Sequence, residues 1–74
     1  MKEKVLSIIN EIRAAKGMAH IASISAETKL REDLNLTSFD LAELTVKIED
    51  EFDIDIFEDG LVSTVGEIFA KLEK

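Results

Sequence analysis

The sequence predicts a small all-α domain, a bundle of four helices of which three are long and one is short. The chain has no proline and only three glycines, so few residues interrupt a helix. Apolar residues recur at the three- and four-residue spacing of a helix face in three separate segments. Because 46% of the 74 residues are hydrophobic, we expect residues 1–74 to fold as a single domain around one core.

The first predicted helix covers residues 3–15 and stops near Gly17, a residue type suited to a helix C-terminus. Its apolar stripe consists of Val5, Ile8, Ile9 and Ile12. Residues 18–36 lack a helical period but keep scattered apolar residues, so we expect an ordered loop that lies across the core. These anchors are Ile21, Ile24, Leu30, Leu34 and Leu36.

The second predicted helix covers residues 38–52 and begins directly after a polar turn. Thr37 is a good N-cap, and Asp40 stands three residues later, as in a capping box. Ser38 then lies at the helix start, where unpaired N–H groups and a partial positive charge favour a covalently attached phosphate group. Five residues fall within one arc of this helix and are predicted to face the core: Leu41, Leu44, Thr45, Ile48 and Phe52.

The opposite side of this helix carries apolar residues between acids. Phe39, Ala42 and Val46 are interleaved there with Glu43 and Asp50. A small domain has no folding reason to expose large apolar side chains between carboxylates, so this face indicates docking to a partner with an apolar groove and a basic rim. The alternatives are scattered exposed apolar residues without a role, or an inward position of Phe39 as part of the cap.

The last predicted helix begins at Thr64, which forms a second capping-box pair with Glu67. Its core stripe is predicted to be Val65, Ile68, Phe69 and Leu72. The connection before it, Phe57 to Ser63, is the place for the short fourth helix. Four apolar stripes that face one centre make a helical bundle.

The charge of the chain is strongly uneven. The formal net charge is −7, and residues 31–60 hold eleven acids against two bases, Arg31 and Lys47. Nucleic-acid binding needs a basic footprint, so these acids favour basic protein surfaces as partners, with an ordinary solvated helix face as the alternative. The chain has no cysteine, no signal-like segment and no long apolar run, so we expect a cytoplasmic protein.

The residue pattern argues against enzymatic activity, and we predict neither a catalytic residue nor a metal site. An EF-hand loop that starts at Asp55 would place Phe57 at a ligand position and Gly66 at the bidentate glutamate. A loop that starts at Asp53 would place Glu58 at the required glycine. His20 is the only histidine and no cysteine could share a metal with it, so a loop histidine without a special role is favoured over a metal ligand. Ser38 has no other candidate base for a hydrolase triad, and no nucleophile elbow surrounds it.

Several segments resemble the acyl carrier protein family. The attachment motif is matched at Thr37-Ser38-Phe39, and further matches run through Leu30–Leu34, Asp40–Leu44, Ile48–Ile56 and Ser63–Val65. The resemblance implies that Ser38 carries 4′-phosphopantetheine, installed from coenzyme A by a phosphopantetheinyl transferase. It also implies that the cofactor thiol holds an acyl or aminoacyl group as a thioester, although the chain itself has no cysteine.

The same resemblance implies that partner enzymes, which load and transfer the acyl group, recognise the second helix through Glu43, Val46 and Asp50. Three residues depart from the family pattern: Thr37 stands in place of an aspartate, Phe39 in place of a leucine or methionine, and Phe57 in place of a proline. These departures favour a specialised carrier, expected to be a monomer, over a general carrier of fatty acid biosynthesis. The alternative function is an unmodified interaction module that keeps the fold but lacks the cofactor.

Overall fold

The computed structural model describes residues 2–57, 60 and 62–73. Three α-helices form within them, α1 at Lys2–Ala15, α2 at Ser38–Phe52 and α3 at Val65–Leu72. The bounds of α2 are those predicted, and α1 begins one residue earlier than expected. The all-α class is confirmed, because the only β pairing among these residues is an isolated antiparallel bridge between Lys29 and Thr64.

The number of helices is three in the described residues, not the predicted four. The short helix was expected between Phe57 and Ser63, where Glu58, Asp59 and Leu61 lie outside the described residues. The Gly60 N–H donates to the Phe57 carbonyl at 3.1 Å. Gly60 has φ 127°, a value that a right-handed helix does not accept, and this explains why no helix continues through it.

The core is formed by the predicted stripes of all three helices together with the loop between α1 and α2. The α1 stripe and most of the α2 arc are buried, whereas Thr45 and Phe52 are half-buried. In α3, Val65 and Ile68 are buried, and Phe69 and Leu72 are half-buried against the same core. The loop contributes four fully packed side chains: Ile24, Leu30, Leu34 and Leu36.

The loop that connects α1 to α2 is ordered across the core, as predicted, and polar contacts fix it at both ends. The Asn10 side chain exchanges two hydrogen bonds with the backbone of Ile21, at 3.0 and 2.8 Å. The buried guanidinium of Arg13 donates to the Leu34 carbonyl at 2.6 Å and to the Ala19 carbonyl at 3.2 and 3.4 Å. α1 therefore holds the loop close to the residue at which α2 begins.

A second attachment joins the loop to α3. The Val65 N–H donates to the Thr28 carbonyl at 2.9 Å, and the Gly66 N–H donates to the Ala26 carbonyl at 3.0 Å. A Cβ at Gly66 would stand 2.8 Å from that carbonyl oxygen, so only glycine permits this approach.

None of the helices in the described part of the chain is long and apolar enough to cross a membrane.

Candidate functional site

Ser38 is the first residue of α2, and its hydroxyl is not needed to cap the helix. Thr37 is the N-cap, and its hydroxyl accepts the Asp40 N–H at 3.2 Å. The Asp40 carboxylate accepts the Thr37 N–H at 2.9 Å, which completes the predicted capping box. Because these two residues satisfy the cap, the exposed side chain of Ser38 is available for other chemistry.

The start of α2 is also fixed to the end of α1. Lys16 Nζ lies 2.5 Å from Asp40 Oδ2 and donates to the Asn35 carbonyl at 2.9 Å. The hydrogen bond from Lys16 and the backbone N–H of Thr37 hold the pKa of the buried Asp40 carboxyl below its ordinary value. This ion pair gives the turn before Ser38 a defined position relative to α1.

Arg31 is the cation that contacts the candidate serine. Its Nη1 donates to Ser38 Oγ at 3.2 Å. The residue before it, Leu30, is fully buried, and its N–H donates to the Ser63 carbonyl at 2.9 Å. The turn that carries Arg31 is therefore anchored in the core while the guanidinium lies at the surface.

A cavity opens beside Ser38. Its volume is about 340 Å³, which lies at the lower end of the range for small-molecule pockets. Most of its wall is apolar, because α2 and the segment before α3 contribute side chains from the edge of the core. The lining residues are Arg31, Glu32, Ser38, Leu41, Ala42, Phe57, Val62 and Ser63.

The outer side of α2 exposes the apolar residues that the sequence placed there. Phe39 is 79% exposed and Val46 is 64% exposed, so the alternative in which Phe39 folds inward is wrong. Ala42 and Asp50 are also exposed, whereas Glu43 is half-buried. The five residues thus share the side of α2 that turns away from the core, and their role in docking stays a prediction.

Two contacts of the site were not predicted. In the sequence, Arg31 stands in a segment that resembles the family and is one of two bases in an acidic stretch, and neither feature links it to Ser38. Lys16 is the first residue after α1, and nothing in the sequence pattern links it to the start of α2. The scarcity of bases in residues 31–60 was the one available signal that Arg31 has a specific partner.

Comparison with known proteins relates the sequence to one family of proteins. The family model described as "Phosphopantetheine attachment site" matches residues 6–72. An acyl carrier protein of an Exiguobacterium species is 32% identical over 97% of this chain and 94% of its own length. The acyl carrier protein of Thermotoga maritima is 32% identical over 99% of this chain and 93% of its own length.

A third relative, the acyl carrier protein of Amoebophilus asiaticus, is 36% identical over 100% of this chain and 90% of its own length. No solved structure matches the chain. The matched residues include Ser38, which is exposed at the capped start of α2. This chain belongs to the acyl carrier protein family, whose members are non-catalytic carriers with covalently attached 4′-phosphopantetheine.

Proposed function

We propose that Ser38 is the residue that carries the 4′-phosphopantetheine arm, and that this chain delivers acyl or aminoacyl groups within a specialised biosynthetic pathway. The observation that carries the proposal is the exposed Ser38 hydroxyl at the first residue of α2, beside a cavity of about 340 Å³. Thr37 supplies the cap, so a modification at Ser38 leaves the helix start intact.

The start of α2 suits a phosphodiester for electrostatic reasons. The first N–H groups of a helix point outward and carry partial positive charge, which stabilises an anion by about 0.3–1 kcal/mol at an exposed site. The Asp40 charge nearby is neutralised by Lys16 at 2.5 Å. The local field at Ser38 is therefore more favourable to an anion than the overall charge of −7 suggests.

The cofactor supplies the thiol that the chain lacks. A long flexible arm on a small domain raises the effective concentration of its acyl group at each docked enzyme, and weak docking permits release.

The three departures from the family pattern support a carrier with dedicated partner enzymes; they are Thr37, Phe39 and Phe57. The mass of the arm on protein isolated from its own cells would distinguish an acyl from an aminoacyl group.

Intact-protein mass spectrometry tests the attachment site. The chain is incubated with coenzyme A and a broad-specificity phosphopantetheinyl transferase, and we expect a gain of one arm, a few hundred daltons. Ser38→Ala should gain nothing and keep the helical circular dichroism of the parent. Ser63→Ala is the matched control, because Ser63 is exposed and lines the same cavity, and it should be modified like the parent.

An arm on Ser38→Ala would show that another residue is the acceptor. An unmodified parent would instead favour the interaction module without a cofactor.

We further propose that partner enzymes with basic docking surfaces, including the transferase, bind the outer face of α2. The proposed contacts are Phe39, Ala42, Glu43, Val46 and Asp50. The two largest apolar side chains of this face are mostly exposed, and carboxylates flank them. Apolar contacts surrounded by acids suit a basic rim around an apolar groove, and this complementarity supports a partner with a basic docking surface.

Modification rates over a salt series test this face. Glu43→Lys should slow modification mainly at low salt, because charge steering acts over the Debye length. Val46→Asp should slow it at every salt concentration, because a charge then enters a desolvated apolar contact. Glu27→Lys makes the same change in charge at an exposed position of the loop between α1 and α2, and should have little effect. Parental rates for both α2 variants would exclude this face as the transferase contact.

A further inference from the structure

Arg31 is a positive charge in contact with Ser38 within an acidic part of the chain. Its Nη1 lies 3.2 Å from Ser38 Oγ. Residues 31–60 contain eleven acids and only one other base, Lys47, which pairs with Glu11 of α1 at 3.6 Å. Arg31 also lines the cavity beside Ser38. Arg31 therefore places a positive charge beside the serine in a part of the chain that is otherwise strongly acidic.

The backbone on both sides of Arg31 is held in place. Leu30 is fully buried on one side, and Leu34 on the other is 1% exposed. The Leu34 carbonyl accepts the buried hydrogen bond from Arg13 at 2.6 Å, and the Leu36 N–H donates to the Leu30 carbonyl at 3.1 Å. Because the turn is fixed at these points, the backbone of Arg31 has a defined position from which the guanidinium contacts Ser38.

The contact changes in strength when the serine is esterified. In the unmodified chain a guanidinium donates to a neutral, exposed hydroxyl, which is a weak interaction. In the modified chain Oγ is bonded to a phosphorus whose non-bridging oxygens share a negative charge. A guanidinium has five N–H donors in a planar fork, so those not used at Oγ can bind these oxygens in charge-assisted hydrogen bonds.

We propose that Arg31 binds the phosphodiester of the phosphopantetheine arm and so orients the arm where it leaves the protein. The inference rests on the proposed attachment at Ser38. Thr37 adds no negative charge beside the phosphodiester, and the carboxylate of Asp40 is paired with Lys16. Glu32 lines the same cavity and is the acid that would compete for Arg31.

The test compares fully modified proteins, with modification confirmed by mass, by ³¹P NMR of the phosphodiester and by thermal unfolding. In Arg31→Gln the phosphorus resonance should shift from the parental position at about 0.01 M salt, and the shift should be smaller at about 1 M, where the Debye length is about 3 Å. The gain in melting temperature on modification should be smaller than in the parent by roughly 1–5 °C.

Two control variants make the result specific. Arg31→Lys keeps the charge and should recover part of both effects. Lys29→Gln removes one positive charge two residues away at an exposed position that does not line the cavity, and it should match the parent. Circular dichroism of the unmodified variants should be parental, because Arg31 is exposed.

Parental resonances and a parental gain in melting temperature for Arg31→Gln would overturn the proposal. Equal effects of Lys29→Gln would also overturn it, since general charge would then explain them. A parent that gains no mass and shows no phosphodiester resonance would refute the attachment at Ser38 itself. The two failures are therefore distinguishable, and neither readout depends on transfer of an acyl group.

Discussion

The starts of α2 and α3 are two copies of one local motif with different roles. Thr37 and Thr64 are both N-caps with extended backbone, and each hydroxyl accepts the N–H of the third helical residue. In both, the carboxylate of that residue accepts a hydrogen bond from the N–H of the threonine. The motif therefore fixes where each helix begins, and it leaves the role of each start undetermined.

The difference lies in what surrounds the motif. The residue after the cap is the exposed Ser38 in α2, whereas in α3 it is Val65, which is fully buried. The carboxylate of Asp40 is buried against Lys16, whereas that of Glu67 is exposed and accepts two backbone N–H groups. Tertiary packing therefore leaves Ser38, the first residue of α2, exposed to solvent and buries Val65, the first residue of α3, in the core.

The largest expected effect follows from the first residue of each helix. Val65→Ala should lower the free energy of unfolding by about 2 kcal/mol, because two buried methyl groups are lost and a cavity remains. Ser38→Ala should change it by less than about 0.5 kcal/mol, since the position is exposed and outside the cap. Urea denaturation of the unmodified proteins measures both. Similar losses in the two variants would show that both first residues are structural.

The lysine that distinguishes α2 gives the next effect. Lys16→Met should destabilise the domain by about 1–2 kcal/mol, because it leaves the buried Asp40 carboxylate without its cation. The exposed residue Lys29 is the control, and Lys29→Met should stay within about 0.5 kcal/mol of the parent. Equal values for the two variants in urea denaturation would mean that the ion pair contributes nothing to the start of α2.

The smallest effect is in the pH dependence. The pKa of Asp40 is lowered by Lys16 and by the Thr37 N–H, so its charge stabilises the fold above the ordinary pKa of 3.8. This stability is lost as pH falls through the lowered value in the folded state. Asp40→Asn keeps an acceptor oxygen and should cost about 1 kcal/mol at neutral pH, the difference between charged and neutral hydrogen bonds.

Melting temperatures of the parent and Asp40→Asn should therefore converge on acidification. The exposed Glu67 behaves with the same sign, because the N–H groups of Ser63 and Thr64 lower its pKa from 4.5. Glu67→Gln should converge with the parent in the same direction. A gap between the parent and Asp40→Asn that persists well below pH 3.8 would show that shape, and not charge, explains the effect.

The parts of the structure that depend on near neighbours in sequence were predictable. The bounds of α2 and its capping box follow from Thr37, Asp40 and the apolar spacing, all within a few residues of each other. The outward position of Phe39 also follows from the period of the helix. The predicted number of helices was wrong because of the segment around Gly60, which was expected to form the short helix and where Gly60 has a positive φ.

The contacts that complete the site were not predictable because they depend on the path of the loop between α1 and α2. Lys16 and Asp40 are 24 residues apart in sequence, and Arg31 lies 7 residues before Ser38 across an irregular turn. Local propensity fixes neither distance. Ser38 could be predicted as the candidate serine from the local cap, whereas the positions of Arg31 and Lys16 near the start of α2 depend on how Leu30, Leu34 and Leu36 pack into the core.

The buried guanidinium of Arg13 has a consequence for proteolysis. Trypsin must take an arginine side chain into its own specificity pocket, and the side chain of Arg13 is engaged with the carbonyls of Ala19 and Leu34. Cleavage after Arg13 therefore requires the loop to leave α1 and the end of α1 to unwind, and its rate follows the population of molecules opened in this way. Arg13 is thus a built-in protease probe, able to report how modification or acyl loading changes the stability of an unlabelled carrier.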